Sequence, residues 1–161
     1  MRSVKLRMPT SMRPIAVMAG LLASLSSAVA SGGIWCNLED KSIKLSVEAG
    51  VTRGMGSPFF NFRGTLEILD PSVAEDLRKL AFSDKNLTQY WLDGKALKLN
   101  IYSERDNEKP HGYVDLVIET QTVDEGSYSG SYILDVYDTE GDTSGEGKQA
   151  KFSGAIDCGA E

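Results

Sequence analysis

Between residues 127 and 158 the chain alternates apolar and polar side chains in two runs. Tyr128, Gly130, Tyr132, Leu134 and Val136 alternate with Ser129, Ser131 and Asp135; Ala150, Phe152, Gly154, Ile156 and Cys158 alternate with Gln149, Lys151, Ser153 and Asp157. A strand points successive side chains to opposite faces, so each run predicts a strand with one buried and one wet face. Matching Val136 with Ala150 sets Leu134 opposite Phe152, Tyr132 opposite Gly154 and Gly130 opposite Ile156. Large side chains then cover glycines, as expected where a sheet bends sharply. The same aromatic-x-Gly-x-apolar pattern occurs from Phe62 to Leu66. Three inward glycines suit a closed or strongly coiled sheet.

Period-two patterning extends upstream. Residues 33–38 predict a short first strand, with Trp35 on the face opposite Cys36. Residues 42–48 alternate Ile43, Leu45 and Val47 against Lys44, Ser46 and Glu48. Gly50, Gly54, Gly56 and Pro58 mark a loop. Phe60, Phe62, Gly64, Leu66 and Ile68 are expected on one face of a third strand. Asp70-Pro71-Ser72, with Ser72 and Glu75 as a capping box, then predicts one short helix near 72–81, its apolar side made of Val73, Leu77, Leu80 and Ala81. Such a helix would plug one end of the sheet structure or cover an edge.

Residues 87–92 and 95–103 flank Asp93-Gly94, a dipeptide suited to a type I′ hairpin turn. A turn centred there sets Tyr90 opposite Leu97 and Trp91, on the outer face, opposite Ala96. The strand at 112–121 pairs with its predecessor, so that Ile101 meets Val114, Leu99 meets Leu116 and Leu97 meets Ile118. Tyr102 then lies opposite Tyr113 on the outer face. Eight strands with hairpin connections predict an all-β fold, either an antiparallel barrel or a two-sheet sandwich. The barrel resembles small lipocalin-like or avidin-like barrels in architecture only, which carries no function.

The first thirty residues read differently. Arg2, Lys5, Arg7 and Arg13 precede an apolar run from Ile15 to Leu25, and Ala28-Val29-Ala30 is a small-x-small motif. This is a signal-peptide pattern with cleavage after Ala30, leaving residues 31–161 as a single all-β domain. The run is too short and interrupted to span a bilayer. The expected location is secreted or periplasmic, with no membrane insertion after cleavage. In an oxidising compartment two cysteines are read as a bond. Cys36 and Cys158 lie on apolar faces near opposite ends of the domain, so a disulfide should staple the first strand to the last. Closure of that kind favours the barrel over the sandwich.

Removing the leader leaves thirteen basic residues against 23 acidic ones, a net charge of −10. From Asp115 onward eleven acids face only Lys148 and Lys151. Such a field repels phosphate backbones and anionic lipids, and sets nucleic acid and membrane surfaces aside as partners. It attracts cations or a basic protein.

Candidate chemistry is sparse. His111 is the only histidine, in a polar loop behind Pro110, where it reads as a solvated residue rather than a catalytic base. A zinc site lacks ligands. Gly145-Glu146-Gly147-Lys148 fails as a phosphate loop, since Asp142 and Gln149 occupy required positions and strands flank it. Asp138, Glu140, Asp142 and Glu146 could offer oxygens to calcium, but Thr143 and Gln149 break the EF-hand pattern, and turn chemistry explains the loop. Nothing points to a cofactor. Asn86-Leu87-Thr88 is a glycosylation sequon, relevant only in a eukaryotic route.

The expectation is a non-enzymatic exported binding or interaction module, its ligand unspecified. Its candidate contact surface is Trp91 with the Tyr102/Tyr113 pair, residue types common at anchors. A basic protein or a small ligand could be the partner. The alternatives are an inhibitor of a basic enzyme such as a lysozyme, a barrel holding an apolar ligand, and a hydrolase using paired carboxylates.

Overall fold

A computed structural model describes residues 31–52, 59–106, 108–142 and 144–161. The leader with its cleavage motif, and the glycine-rich stretch at 53–58, lie outside the described residues. Among the described residues nine antiparallel strands form one nearly closed, barrel-shaped sheet, one strand more than the pattern predicted. They are β1 (Ser31–Glu39), β2 (Ile43–Thr52), β3 (Phe59–Ile68), β4 (Lys79–Ser83), β5 (Leu87–Leu92), β6 (Ala96–Glu104), β7 (Gly112–Asp124), β8 (Ser127–Asp138) and β9 (Lys148–Ala160). Their order around the sheet is β4-β3-β2-β1-β9-β8-β7-β6-β5.

The added strand corrects the helix expectation. Helix α1 spans only Glu75–Arg78, starts at Ala74 without a side-chain cap, and gives way to β4. The capping box does not form; the Ser72 amide donates to Asp70 instead. Residues 79–83 pair with Arg63–Glu67 and satisfy an edge of β3 that a helix would leave open. Leu80 and Phe82 already alternate with Lys79, Ala81 and Ser83. Two turns of helical spacing obscured that period. Leu77 is buried and reaches toward Gly112 at the start of β7, so α1 plugs one end of the barrel.

The first and last strands are neighbours, and Cys36 pairs directly with Cys158 in a disulfide, Cα–Cα 4.2 Å. Both half-cystines are buried. The β1–β9 ladder has only four residue pairs, against twelve for β8–β9, so the bond reinforces the shortest junction between long strands. The seam of the barrel lies elsewhere, between β4 and β5, which are consecutive in the chain. A 3-10 turn, Asp84–Asn86, crosses it. Asp84 accepts the Phe62 amide at 2.7 Å on the β3 side, and the Asn86 amide donates to the Tyr102 carbonyl at 3.1 Å on the β6 side. Phe59 stacks on Tyr90 across the gap, ring centroids 4.4 Å apart.

The terminal pair has the predicted register, with Tyr132 opposite Gly154 and Ile156 opposite Gly130. A β-carbon on Gly130 would overlap the backbone of Glu119 and Thr120, which is why glycine stands there. Two other registers differ by two residues. In the β5–β6 hairpin Leu92 pairs with Leu97 and Trp91 with Lys98. A type I′ turn needs two residues with positive φ, and here only Gly94 has one. The turn is centred on Gly94 and Lys95, with Asp93 bonded to Ala96 and its carboxylate capping the Lys95 and Ala96 amides. In β6–β7, Ile101 meets Leu116 and Leu99 meets Ile118, because pairing continues to Glu104 and Tyr113. A slip of two preserves every residue's face, so the predicted inward aliphatics remain inward.

β3 is also corrected. Phe60 is exposed and Phe59 buried, the reverse of the expectation. The register shifts between Glu48 and Gly50, and Asn61 has φ 53°. This bulge adds a residue to β3, tolerated because asparagine is among the few side chains that accept a left-handed backbone.

Candidate binding surface

The barrel interior is filled by its own side chains. Leu97, Leu99, Ile101, Leu116, Ile118, Leu134 and Tyr132 are all essentially inaccessible. Two hydroxyls lie at that depth: Thr120 donates to the Leu97 carbonyl at 2.8 Å, and Tyr132 donates to Asp40 at 2.7 Å. Asp40 also accepts the Ser42 and Ile43 amides and so shapes the β1–β2 turn. Burial would raise the Asp40 carboxyl, but these hydrogen bonds outweigh it and hold it below the usual range. Burial, then the bond to Asp40, pushes the Tyr132 phenol well up.

At the plugged end a buried guanidinium gathers three elements. Arg105 is 3% exposed at its side chain. Its Nε and Nη2 donate to Asp76 of α1 at 2.8 and 3.1 Å, and its Nη1 to Asp138 of β8 at 2.7 Å and to the Pro110 carbonyl at 2.9 Å. The Asp138 bond is foremost in raising the arginine further above its ordinary value. Burial alone would raise both carboxyls, but Arg105, joined by Lys109 at Asp76 and by the Glu140 amide at Asp138, outweighs it and each lies below the usual range. Sequence reading passed over this residue within a polar loop. The cluster joins parts of the fold and consumes charge from the acidic β8–β9 loop. Asp142 is likewise spent on the Gly147 and Ser144 amides, which lower its carboxyl to about 2. Asp138 and Asp142 therefore serve an arginine and a turn rather than facing a common cation.

The predicted contact residues occupy two separate places. Trp91 is 58% exposed on the outer face of β5. Tyr102 lies diagonally from Tyr113, not opposite it, and the two rings stack at 5.6 Å. Tyr113 stacks on Tyr137 at 5.5 Å, giving a ladder of three rings. His111 closes against Tyr113 and Tyr137, with Nδ1 3.0 Å from Glu104, so it belongs to this ladder rather than to a free loop. Ring faces in the ladder are turned on one another. Asn86 of the sequon is buried, its amide spent on Tyr102 and Ser83.

A third outer surface went unrecognised in the sequence as a contact site. Trp35 and Phe60 are 41% and 38% exposed on the outer face of β1 and β3. Trp35 pairs with Gly159, and an added β-carbon there would overlap Cζ2, Cε2 and Nε1 of the indole together. Phe60 pairs with Gly50, where an added β-carbon would overlap Cζ and both Cε atoms. Each ring therefore lies face-down on a glycine with its other face to water. Beside them is a shallow cleft of about 470 Å3 that Gly33, the ion pair Glu48–Arg63 and Glu161 also line. Asn37 borders this cleft and a neighbouring one over β1–β4. The available signal was the Cys36–Cys158 register itself, which sets Trp35 opposite Gly159.

Among the described residues no helix is long and apolar enough to cross a membrane. Compared with protein-family models, curated proteins and solved structures, the chain shows no match. The functional reading rests on the chain's own geometry.

Proposed function

We propose that the protein is an exported, non-enzymatic binding module that works from its outer surface. The observation that carries this reading is the contrast between a core occupied by its own side chains and rigid, aromatic-bearing strands outside. Recognition from a sheet exterior suits such a scaffold, because side chains on paired strands are held in fixed array. The leader pattern and the buried disulfide support action in an oxidising compartment.

The test is retention. Immobilised chain 31–161 is exposed to the exported fraction of its source and washed in low and high salt. A retained molecule that elutes chemically unchanged is the expected result. Turnover of it by the purified chain would contradict the reading and favour the carboxylate hydrolase. The net charge of −10 supports a second reading, inhibition of a basic enzyme such as a lysozyme, whose mark is inhibition that fades with salt.

A further inference from the structure

We infer that the Trp35/Phe60 face binds a neutral saccharide chain. This rests on the binding-module reading and names the ligand class. A pyranose presents a flat C–H face, apolar and slightly positive, and a rim of hydroxyls. An aromatic face carries the complementary negative quadrupole, so it takes a sugar when one face is free and the ring is held flat. Trp35 and Phe60 meet both conditions, each pressed onto a glycine and open on the far side. In the tyrosine ladder the rings stack on one another instead of lying on a glycine, and the middle ring, Tyr113, has both faces turned on neighbours.

Spacing supports a chain rather than one sugar. Trp35 leans toward β9 and Phe60 toward β2. Two strand spacings across and two residues along put the rings roughly 12 Å apart. That is about two pyranose units of an extended glycan. Gly33 lines the cleft beside them and has no side chain to obstruct a ligand.

Polar groups stand where hydroxyls would reach. Glu48 and Arg63 form an exposed pair, side chains 53% and 70% accessible, with lone pairs and N–H groups left over. Asn37 is linked to Ser46 at 2.8 Å through its carbonyl oxygen, which leaves its amide N–H groups to donate. The Glu48–Arg63 pair cancels its own charge, and Glu161, which also lines the cleft, adds a carboxylate that repels anionic ligands and can accept hydroxyl protons. An acidic peptide is turned away there, and a polyhydroxyl ligand finds both donors and acceptors. Nor do the rings form the contiguous apolar patch that a protein or lipid contact uses, because glycine and polar side chains separate them.

The test uses Trp91→Phe, which leaves Trp35 as the only tryptophan. The probes are hexasaccharides of β-1,4-glucose and β-1,4-N-acetylglucosamine, read by Trp35 emission. At least one should give a saturable shift that persists in high salt. Phe60→Ala should weaken it at least about tenfold. Gly33→Val should abolish it while leaving both rings and the melting curve in place, since a β-carbon at Gly33 meets only the Ala49 carbonyl, at 3.5 Å. Failure of both probes to move Trp35, or equal affinity in Phe60→Ala and Gly33→Val, overturns the inference. A natural partner retained equally by the parent chain and by Gly33→Val also overturns it, while leaving the binding-module reading standing.

Discussion

Replacing Arg105 with methionine isolates the charge cluster that fastens α1 to the barrel. Methionine keeps much of the aliphatic stem and removes the guanidinium. The side chain is 3% exposed, and its partners Asp138 and Asp76 are 14% and 30% exposed. Removing one member of a buried ion pair typically costs about 3–5 kcal/mol. Water can reach Asp76, so about 3 kcal/mol is expected, or roughly 10 °C in Tm for a domain of this size. The pH dependence has a definite sign. The folded-state carboxyls of Asp76 and Asp138 lie below their unfolded values. Their contribution is therefore complete above the unfolded pKa of about 4 and is lost as pH falls through the folded values. Without Arg105, burial and mutual repulsion favour the protonated carboxyls, opposed only in part by Lys109 at Asp76 and the Glu140 amide at Asp138. The gap between the native chain and Arg105→Met should thus narrow from pH 7 to about pH 3. Urea unfolding followed by circular dichroism at both pH values measures it. Adding Asp138→Asn to Arg105→Met should recover part of the loss. A change under about 0.5 kcal/mol at pH 7, the level of an ordinary surface substitution, would refute the reasoning. So would an identical gap at both pH values.

Other predictions concern single elements. Replacing Cys36 and Cys158 together by alanine should cost up to about 5 kcal/mol, since the bond closes a loop of 122 positions. Native protein in which both thiols alkylate would contradict that. Leu99→Ala should cost about 2–5 kcal/mol by chemical unfolding, and a change near zero would show the inward phase of β6 to be wrong. Tyr132→Phe removes the donor to a part-buried carboxylate oxygen of Asp40 and should cost about 1–3 kcal/mol. Asn61→Gly should be neutral or slightly stabilising, whereas Asn61→Val, forced to positive φ, should lose about 1–2 kcal/mol; equal behaviour would argue against the bulge.

What the sequence made legible was phase, and what it hid was placement. Leu97, Leu99, Ile101, Leu116 and Tyr132 face inward as their alternation required. Pairing can slip by two without turning a side chain over, so that same alternation could not choose between registers for β5–β6 and β6–β7. The choice lay in one backbone angle at Gly94 and in where the loop after Glu104 closes. β4 was lost because Leu77 and Leu80 match helical spacing, while its reason to be extended is the open edge of β3, a tertiary demand. Arg105 looked like loop polarity because its partners, Asp76 and Asp138, lie 29 and 33 positions away. Tyr102 and Tyr113 share the outer face as expected but lie diagonally rather than opposite, and they stack on one another. Trp35 was placed outward, but the pairing with Gly159 that flattens it follows only once the disulfide register is known.

The central claim is that a filled barrel recognises its ligand on the outside, around Trp35. Amide shift mapping of isotopically labelled chain 31–161, titrated with the β-1,4 hexasaccharide that binds best, tests it most directly. Shifts should gather at Gly33, Trp35, Gly50 and Phe60 and leave Leu99, Leu116 and Tyr132 where they were. Shifts centred on those three inward residues, or on Tyr102 and Tyr113 alone, would contradict it.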